Sequence, residues 1–474
     1  MTLRSSILVM LTASVALTGC NLAPKYVRPI GAVPAALPQG GVYPTAPTDA
    51  PDVTKIGWRD FFVEDRLRQV IALGLDNNRD LRLAAANVLQ ARAQYGAQRA
   101  DLLPTINANG SSTYTNTAAQ TAGFGGIAGG SSSDISTYSA NVGFSSFEID
   151  LFGRIRNQTK AAQEAFFASE EAQRSARISL IAEIASAWLT MASDQDQLRL
   201  SRETLKAFEQ TLSLTRAQFR IGVASELEAR QAETNYQSAR NDIALLSTRI
   251  AQDQNALNLL VGATVDATLL PSGLDEGDAM VKALPGNLSS DVLLRRPDVL
   301  EAEHKLIAQN ANIGVARAAF FPKLSLTATL GTISPALSGL FGSGTGTYNA
   351  SPALSLPLFD AGRNRNNLRA AKAAQQGAVA TYEKTIQTAF REVADALAQR
   401  GTIDEQVSAQ TARAEAARIA ARLSQARYTA GIDSFLVSLD AQRTSYAAQQ
   451  QLVTTRLNRG TNLVELYRSL GGGL

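Results

Sequence analysis

Cysteine and histidine each occur once in the 474 residues, and methionine only four times. The single cysteine, Cys20, excludes an intramolecular disulfide framework and any cysteine-rich metal site. The single histidine, His304, sits in the run Glu301-Ala302-Glu303-His304-Lys305, which reads as an exposed helix face. One histidine without a partner is rarely a metal ligand or a catalytic base. Charge of one sign is also lacking: 45 basic against 42 acidic side chains leave a formal +3, with no run of five like charges. Nothing there favours a nucleic-acid partner. Nucleotide and hydrolase signatures are missing as well. The nearest stretch, Gly339-Leu340-Phe341-Gly342-Ser343-Gly344, lacks the Gly-Lys-Ser/Thr of a phosphate loop and the Gly-x-Ser-x-Gly of a nucleophile elbow. It reads as a flexible loop between strands, and the chain as a non-enzyme without catalytic residues or metal ligands.

Proline is absent from Pro104 to Pro271 and again after Pro357, whereas seven of the fifteen prolines crowd into residues 24 to 51. The crowded segment must be extended, and the two empty spans are free to hold very long helices. Within the first span the apolar residues fall on spacings of 3 and 4. One stripe is Leu198, Leu205, Phe208, Leu212, Thr215 and Phe219; another is Tyr236, Ala239, Ile243, Leu246, Ile250, Leu257 and Leu260. Between them Gly222 suits a helix C′ position, and Ser225 with Glu228 forms a capping-box pattern. The spacing predicts an antiparallel helical hairpin whose first arm, about Leu151 to Ile221, holds roughly 70 residues and is on the order of 100 Å long.

The turn recurs. Phe219-Arg220-Ile221-Gly222-Val223-Ala224-Ser225-Glu226-Leu227 aligns with Tyr428-Thr429-Ala430-Gly431-Ile432-Asp433-Ser434-Phe435-Leu436 at an offset of 209 residues. The same offset pairs Gly153-Arg154 with Gly362-Arg363, and Leu257 and Gly262 with Leu466 and Gly471. Gly96, Arg99, Ala100 and Pro104 match Gly314, Arg317, Ala318 and Pro322 at an offset of 218. Anchors in one order mean a duplicated unit. Between them the period drops to two: Tyr138, Ala140, Val142 and Phe144 alternate with small or polar residues, as do Leu324, Leu326, Ala328 and Leu330. These are strands with one apolar face. Their partners are expected at about Thr105 to Thr115 and Tyr348 to Leu358, across Gly- and Ser-rich loops at 122 to 133 and 338 to 347. Each copy therefore reads as helix, β-hairpin, long helix, helix. Such strands fit a membrane β-barrel wall with an aqueous lumen. Four strands cannot close a barrel and open edges are not tolerated in lipid, so the chain must oligomerise.

At the N-terminus, Arg4 precedes an apolar core from Ile7 to Leu17, the length of a signal-peptide h-region and too short to span a bilayer comfortably. The run ends Leu17-Thr18-Gly19-Cys20 and resembles the lipobox of bacterial lipoproteins. That resemblance implies cleavage before Cys20, an S-diacylglycerol and N-acyl modification of Cys20, and, with Asn21 following, sorting to the outer membrane. Two or three acyl chains suffice for stable anchoring.

Three further segments carry a wider resemblance: Cys20-Asn21-Leu22-Ala23-Pro24-Lys25-Tyr26-Val27-Arg28-Pro29, Trp58-Arg59-Asp60-Phe61-Phe62 and Leu293-Leu294-Arg295-Arg296-Pro297-Asp298. With the stretch Tyr428 to Arg443, they make the chain resemble the TolC-like outer-membrane efflux factors, in the lipoprotein branch of OprM/NodT type, from Cys20 to about Gly472. The resemblance implies a homotrimer in the outer membrane, whose four strands per chain build a 12-stranded β-barrel continued by an α-helical periplasmic barrel. It implies passive conduction of substrates from an inner-membrane transporter of the resistance-nodulation-division (RND) type, joined through a periplasmic adaptor. It places a periplasmic gate at Leu436 and Asp440, with Arg427, Tyr428 and Arg443 as partners holding the helices inward. The hairpin tips, Gly222, Val223 and Ser225 with Gly431, Ile432 and Ser434, are expected to meet the adaptor.

The expected division is a leader at 1–19, a lipidated extended segment at 20–60, a first repeat at 61–272, a linker at 273–295 and a second repeat at 296–474. A lipid-anchored periplasmic adaptor would show one hairpin flanked by β-domains, and the duplication argues against it. A type I secretion exit duct is the closer alternative, from which the lipobox and the Arg-Arg-Pro-Asp segment lean away. Cargo stays open to drugs, fatty acids or other compounds. Only Met191 and Met280 would remain in the mature chain, so composition gives no methionine path for soft metal ions.

Overall fold

A computed structural model of the chain describes residues 20–44, 56–117, 133–274 and 290–472. The expected leader, nearly all of the first Gly/Ser-rich loop and most of the linker lie outside the described residues. The main elements in chain order are α1 Asp65–Asn77, α2 Arg79–Ala100, β1 Asn107–Thr117, β2 Ser133–Ile149, α3 Arg154–Arg220, α4 Glu226–Val261, α5 Pro297–Ala318, β3 Lys323–Ser334, β4 Gly346–Ser355, α6 Arg363–Thr429 and α7 Phe435–Ser469. The duplication is visible in the lengths. Helices α2 and α5 have 22 residues each, and α3 and α6 have 67 each, about 100 Å at the α-helical rise. Among the described residues no helix is long and apolar enough to cross a membrane.

Both hairpin turns close in the same way. The Val223 N–H donates to the Gln218 carbonyl at 2.9 Å, and the Ile432 N–H to the Arg427 carbonyl at 2.9 Å. Gly222 and Gly431 occupy the left-handed region, at φ 77° and 75°. This six-to-one closure around a left-handed residue ends a helix cheaply only with glycine. Ser225 then caps α4 with the complete capping box: its hydroxyl accepts from the Glu228 N–H, and the Glu228 carboxylate accepts from the Ser225 N–H at 2.8 Å. Ser434 makes no side-chain cap bond, and with Val437 standing where Glu228 stands in the first copy the reciprocal half of the box is lost as well.

The chain divides into two compact units. One comprises Met1–Arg28, Leu89–Ala168 and Glu303–Thr381 and holds the four-stranded antiparallel sheet, in the order β1-β2-β3-β4. Beneath the strands Phe152 stacks on Phe321 at 4.6 Å between centroids. His304, expected on an exposed helix face, is drawn inward instead. It is not a solvated helix face: its Nδ1 lies 2.6 Å from the Glu164 carboxylate, and Phe167 packs on the ring. Tertiary pairing overrides the local charged pattern that made the run look exposed.

The other unit comprises Pro29–Val88, Ser169–Ala302 and Tyr382–Leu474. Its core gathers Phe61, Phe62, Leu67, Ile71, Ile184, Trp188, Leu257 and Tyr467, all nearly inaccessible. Phe61 stacks on Tyr467 at 4.4 Å and Phe62 meets the same ring edge-on, so the Trp58–Phe62 segment is a core plug. Arg296 is buried among the Asp298 and Glu392 carboxylates and the Ser469 carbonyl, at 2.7, 2.8 and 2.6 Å. The Arg-Arg-Pro-Asp segment thus fastens the C-terminus to the start of α5. Along the coiled-coil stripes Leu198, Phe208, Leu212, Thr215, Ala239, Leu246 and Leu257 are buried, while Phe219, next to the turn, stays 44% exposed.

Candidate functional site

Three features offer themselves for function: the two-faced sheet, the hairpin turns with the helices behind them, and the N-terminal segment. In the sheet, cross-strand rows place Val142, Leu330 and Tyr348 side by side, and likewise Phe147, Leu326 and Pro352. The alternate rows carry Asn141 beside Gly331 and Thr327 beside Ser351. One face is therefore apolar and the other polar. Strand β2 runs longer than its alternation predicts, because a bulge between Phe144 and Phe147, with Ser146 at φ 55°, inserts one residue. The extra residue switches the parity, so Phe147 and Ile149 join the apolar face that Val142 and Phe144 began. Gly143 and Gly331 lie on the polar face. A methyl group at either would fall 2.1 or 2.2 Å from a carbonyl oxygen of the adjacent strand, so the sheet curls toward its polar side there. Among the described residues β1 pairs only with β2 and β4 only with β3, which leaves two open edges.

At the second turn Arg427 pairs with Asp433 through both carboxylate oxygens, at 2.6 and 2.8 Å. The guanidinium holds the Asp433 carboxyl below the usual carboxylate range. The Tyr428 hydroxyl donates to Gln218 of the first hairpin at 2.6 Å. Burial, with the Glu228 charge nearby, raises the Tyr428 phenol and keeps it a donor. Leu436 is 61% exposed, and with Val437 and Asp440 it borders a groove of about 590 Å³ against Ala417, Ala420 and Ser424. Asp440 and Arg443 are exposed and form no ion pair among the described residues. The structure therefore gathers Leu436 and Asp440 at one groove. It gives Arg427 and Tyr428 partners other than Asp440 and leaves Arg443 apart. The tip residues Val223 and Ile432 project outward at 73% and 63% exposure.

Sequence reasoning missed the polar layer behind this turn. The Gln425 side-chain oxygen accepts from Ser438 and Gln442 at 2.7 and 2.6 Å. Further along α7 the Tyr446 hydroxyl donates to Asp242 at 2.9 Å and lies 2.8 Å from that of Ser201. Burial pushes this phenol up to about 12. The available signal was polar residues such as Thr211 and Thr215 interrupting an apolar stripe. Phe435 was also overlooked as core: it is 1% exposed and packs with Leu212, Ala232 and Leu439.

Cys20 is exposed and unpaired in any disulfide. The residues after it are strapped onto α3 and α5. Asn21 accepts from Asn157 at 2.9 Å, Arg317 donates to the Leu22 carbonyl at 3.0 Å, and Arg28 pairs with Glu303 at 2.7 Å. A methyl group at Gly153 would lie 3.4 Å from the Cys20 carbonyl oxygen, which puts Cys20 where β2 passes into α3.

Comparison with known proteins places this architecture. The family described as "Outer membrane efflux protein" matches residues 70–263 and 288–472, one match per copy. The toluene efflux pump outer membrane protein TtgC of Pseudomonas putida is 45% identical over 474 residues, covering 99% of this chain and 96% of the relative. The cation efflux system protein CusC of Escherichia coli is 39% identical over 462 residues, covering 97% of each. A crystal structure of a membrane protein from Pseudomonas aeruginosa superposes with a TM-score of 0.88 at 39% identity, covering 96% of this chain and 98% of that one. A duplicated fold of long helical hairpins and a two-faced sheet, matched along nearly its whole length, makes this chain a member of the outer membrane efflux protein family, an outer-membrane channel of efflux pumps.

Proposed function

We propose that three copies of the chain close a 12-stranded barrel in the outer membrane and continue it as a helical duct, through which drugs or other small molecules leave passively. The observation that carries this reading is the sheet. It is apolar on one face, curled toward the other, and open at both edges. Unpaired strand edges cost several kcal/mol per group in lipid, so β1 of one copy must meet β4 of the next. The substrate arrives from an inner-membrane RND-type transporter through a periplasmic adaptor, and the chain catalyses no reaction. The names of the relatives, one a toluene pump protein and one a cation system protein, attach different cargoes to one architecture. That supports leaving cargo choice to the transporter.

Within this duct Leu436 and Asp440 form the periplasmic gate, three Asp440 side chains making an anionic ring around the axis. Arg427 and Tyr428 hold the gate helices inward through Asp433 and Gln218, and Arg443, which has no ion pair within the described residues of one chain, does so across to a neighbouring copy. The turns at Gly222, Val223 and Ser225 and at Gly431, Ile432 and Ser434 receive the adaptor. A bulky residue at Gly222 or Gly431 is expected to weaken adaptor binding in a pull-down while trimers persist on native gels. Cys20 carries the S-diacylglycerol and N-acyl groups as an auxiliary tether. A Cys20→Ser chain given a cleavable signal should still yield membrane-inserted trimers, and a wholly soluble product would contradict the barrel. The direct test of function is reconstitution of purified protein into planar bilayers. Discrete conductance steps from a trimeric species support the duct; a bilayer-bound protein that never conducts, even with its gate residues substituted, excludes it.

A further inference from the structure

The two copies differ where their long helices leave the sheet. In the first, each cation has an acidic partner: Arg154 pairs with both oxygens of Glu148 at 2.7 and 2.6 Å, Arg156 with Asp150 at 3.4 Å, and Lys160 with Glu164 at 2.6 Å. The equivalent start of α6 carries Arg363, Arg365, Arg369 and Lys372, with Pro357 and Ala373 at the positions of Glu148 and Glu164. No acidic residue occurs from Arg363 to Tyr382. Arg363 keeps Asp360 nearby. Arg369 has only a 3.5 Å bond to Asn366, and Arg365 and Lys372 have no ion pair among the described residues. Arg365, Arg369 and Lys372 fall at i, i+4 and i+7, on one helix face, and all three are exposed.

Just before this stripe the chain presents Leu358 and Phe359, each 90% exposed. The sheet register fixes their level. Ile149 pairs with Leu324, and Leu324 with Leu354, so β2 and β4 reach the helices at the same height. Cys20 lies at the β2 junction, so the lipid proposed for it enters the bilayer at the level of Leu358 and Phe359. Along α6, Arg365 and Arg369 sit about 5 and 10 Å beyond Gly362. Arg365 thus lies within a headgroup layer of roughly 5 to 8 Å per leaflet, and the long side chains of Arg369 and of Lys372, about 15 Å along the helix, lean back toward it.

We propose that Arg365, Arg369 and Lys372 form a basic collar that binds the phosphate headgroups of the periplasmic leaflet, with Leu358 and Phe359 as apolar anchors beside it. Guanidinium forks match phosphate oxygens in pairs, and each cation near an anionic surface strengthens attachment about fivefold. The collar rests on the reading that the strands span the outer membrane, and the test separates the two.

Full-length wild type and the Arg365→Gln/Arg369→Gln/Lys372→Gln variant are reconstituted into phosphatidylcholine vesicles with and without phosphatidylglycerol. The vesicles are floated and extracted in mild detergent, and retained lipid is measured by native mass spectrometry. Both proteins are expected to float as trimers. Wild type should retain phosphatidylglycerol over phosphatidylcholine, and the variant should lose that preference by fivefold or more. Should the triple variant not assemble, Arg365→Gln alone is expected to lose part of the preference, and Arg365→Lys to keep most of it. A wild type that does not float overturns the membrane-spanning reading itself. Floating with unchanged headgroup preference overturns the collar alone. Displacement of the bound lipid by an equal concentration of inorganic phosphate would show a free-anion site. A change in ion selectivity with lipid retention unaltered would put the stripe in the lumen. Either of these last results also overturns the collar.

Discussion

The two hairpin turns share one backbone closure and differ in everything that holds them. At the first, the Ser225–Glu228 box is local to α4, and Arg230 and Arg216 tie Glu226 and Glu233 within the same hairpin. At the second there is no cap. Closure depends on Arg427 with Asp433, on Tyr428 reaching Gln218 of the other hairpin, and on the Gln425 cluster. Hydrogen bonds of this kind contribute about 0.5–1.5 kcal/mol each, so losing two or three of them is enough to change a conformational balance. The first hairpin is built as a fixed support. The second relies on pairs within its own turn and on Gln218 of the other hairpin, an arrangement that suits the gate role proposed above.

The largest difference between the two turns should come from Phe435, whose counterpart in the first copy is the exposed Glu226. Phe435→Ala is expected to cost about 3–5 kcal/mol and to raise amide exchange through the start of α7, whereas Glu226→Ala should leave exchange there untouched. Next in size is the cap. Ser225→Ala should weaken α4 by about 1 kcal/mol, read as faster exchange of the Glu228 amide, and Ser434→Ala should change α7 very little. Equal effects at the two serines would erase the difference between the two turns. The smallest effect is one of pH. The Asp433 carboxyl is lowered by Arg427, so the clamp is complete above the ordinary aspartate value of about 3.9 and is lost as pH falls through the lower native value. Protease nicking at the second turn should stay flat from neutrality down to about pH 4 and rise only below it. A rise between pH 5 and 7 would assign the clamp to other groups.

Much of this was legible in the sequence, for identifiable reasons. Long proline-free spans and the repeated glycine-centred turn predict two pairs of long helices, and 67-residue helices ending beside Gly222 and Gly431 follow. Strand alternation predicts the two faces, because side-chain direction strictly alternates along a strand. The pattern stopped being readable at Ser146, where the bulge reverses parity and hides four further residues of β2. The partners of the proposed gate residues were less legible. Arg427 chooses Asp433 in its own turn, and Gln218 and Gln425 are polar residues within a coiled-coil seam whose partners come from another helix. Spacing reports which face a residue shares, and only the packed structure reports which charge lies across from it. The Trp58–Phe62 and Arg296 segments carried the family resemblance, yet both proved to be fastenings of the core.

Whether the second hairpin turn closes the duct can be read from the single-channel conductance of Tyr428→Phe combined with Asp440→Ala in planar bilayers. Conductance is expected clearly above wild type, with substitutions at the equivalent positions of the first turn, Phe219→Ala with Gln231→Ala, having little effect. An unchanged conductance in the first pair, or an equal rise in the second, would contradict closure by the second turn.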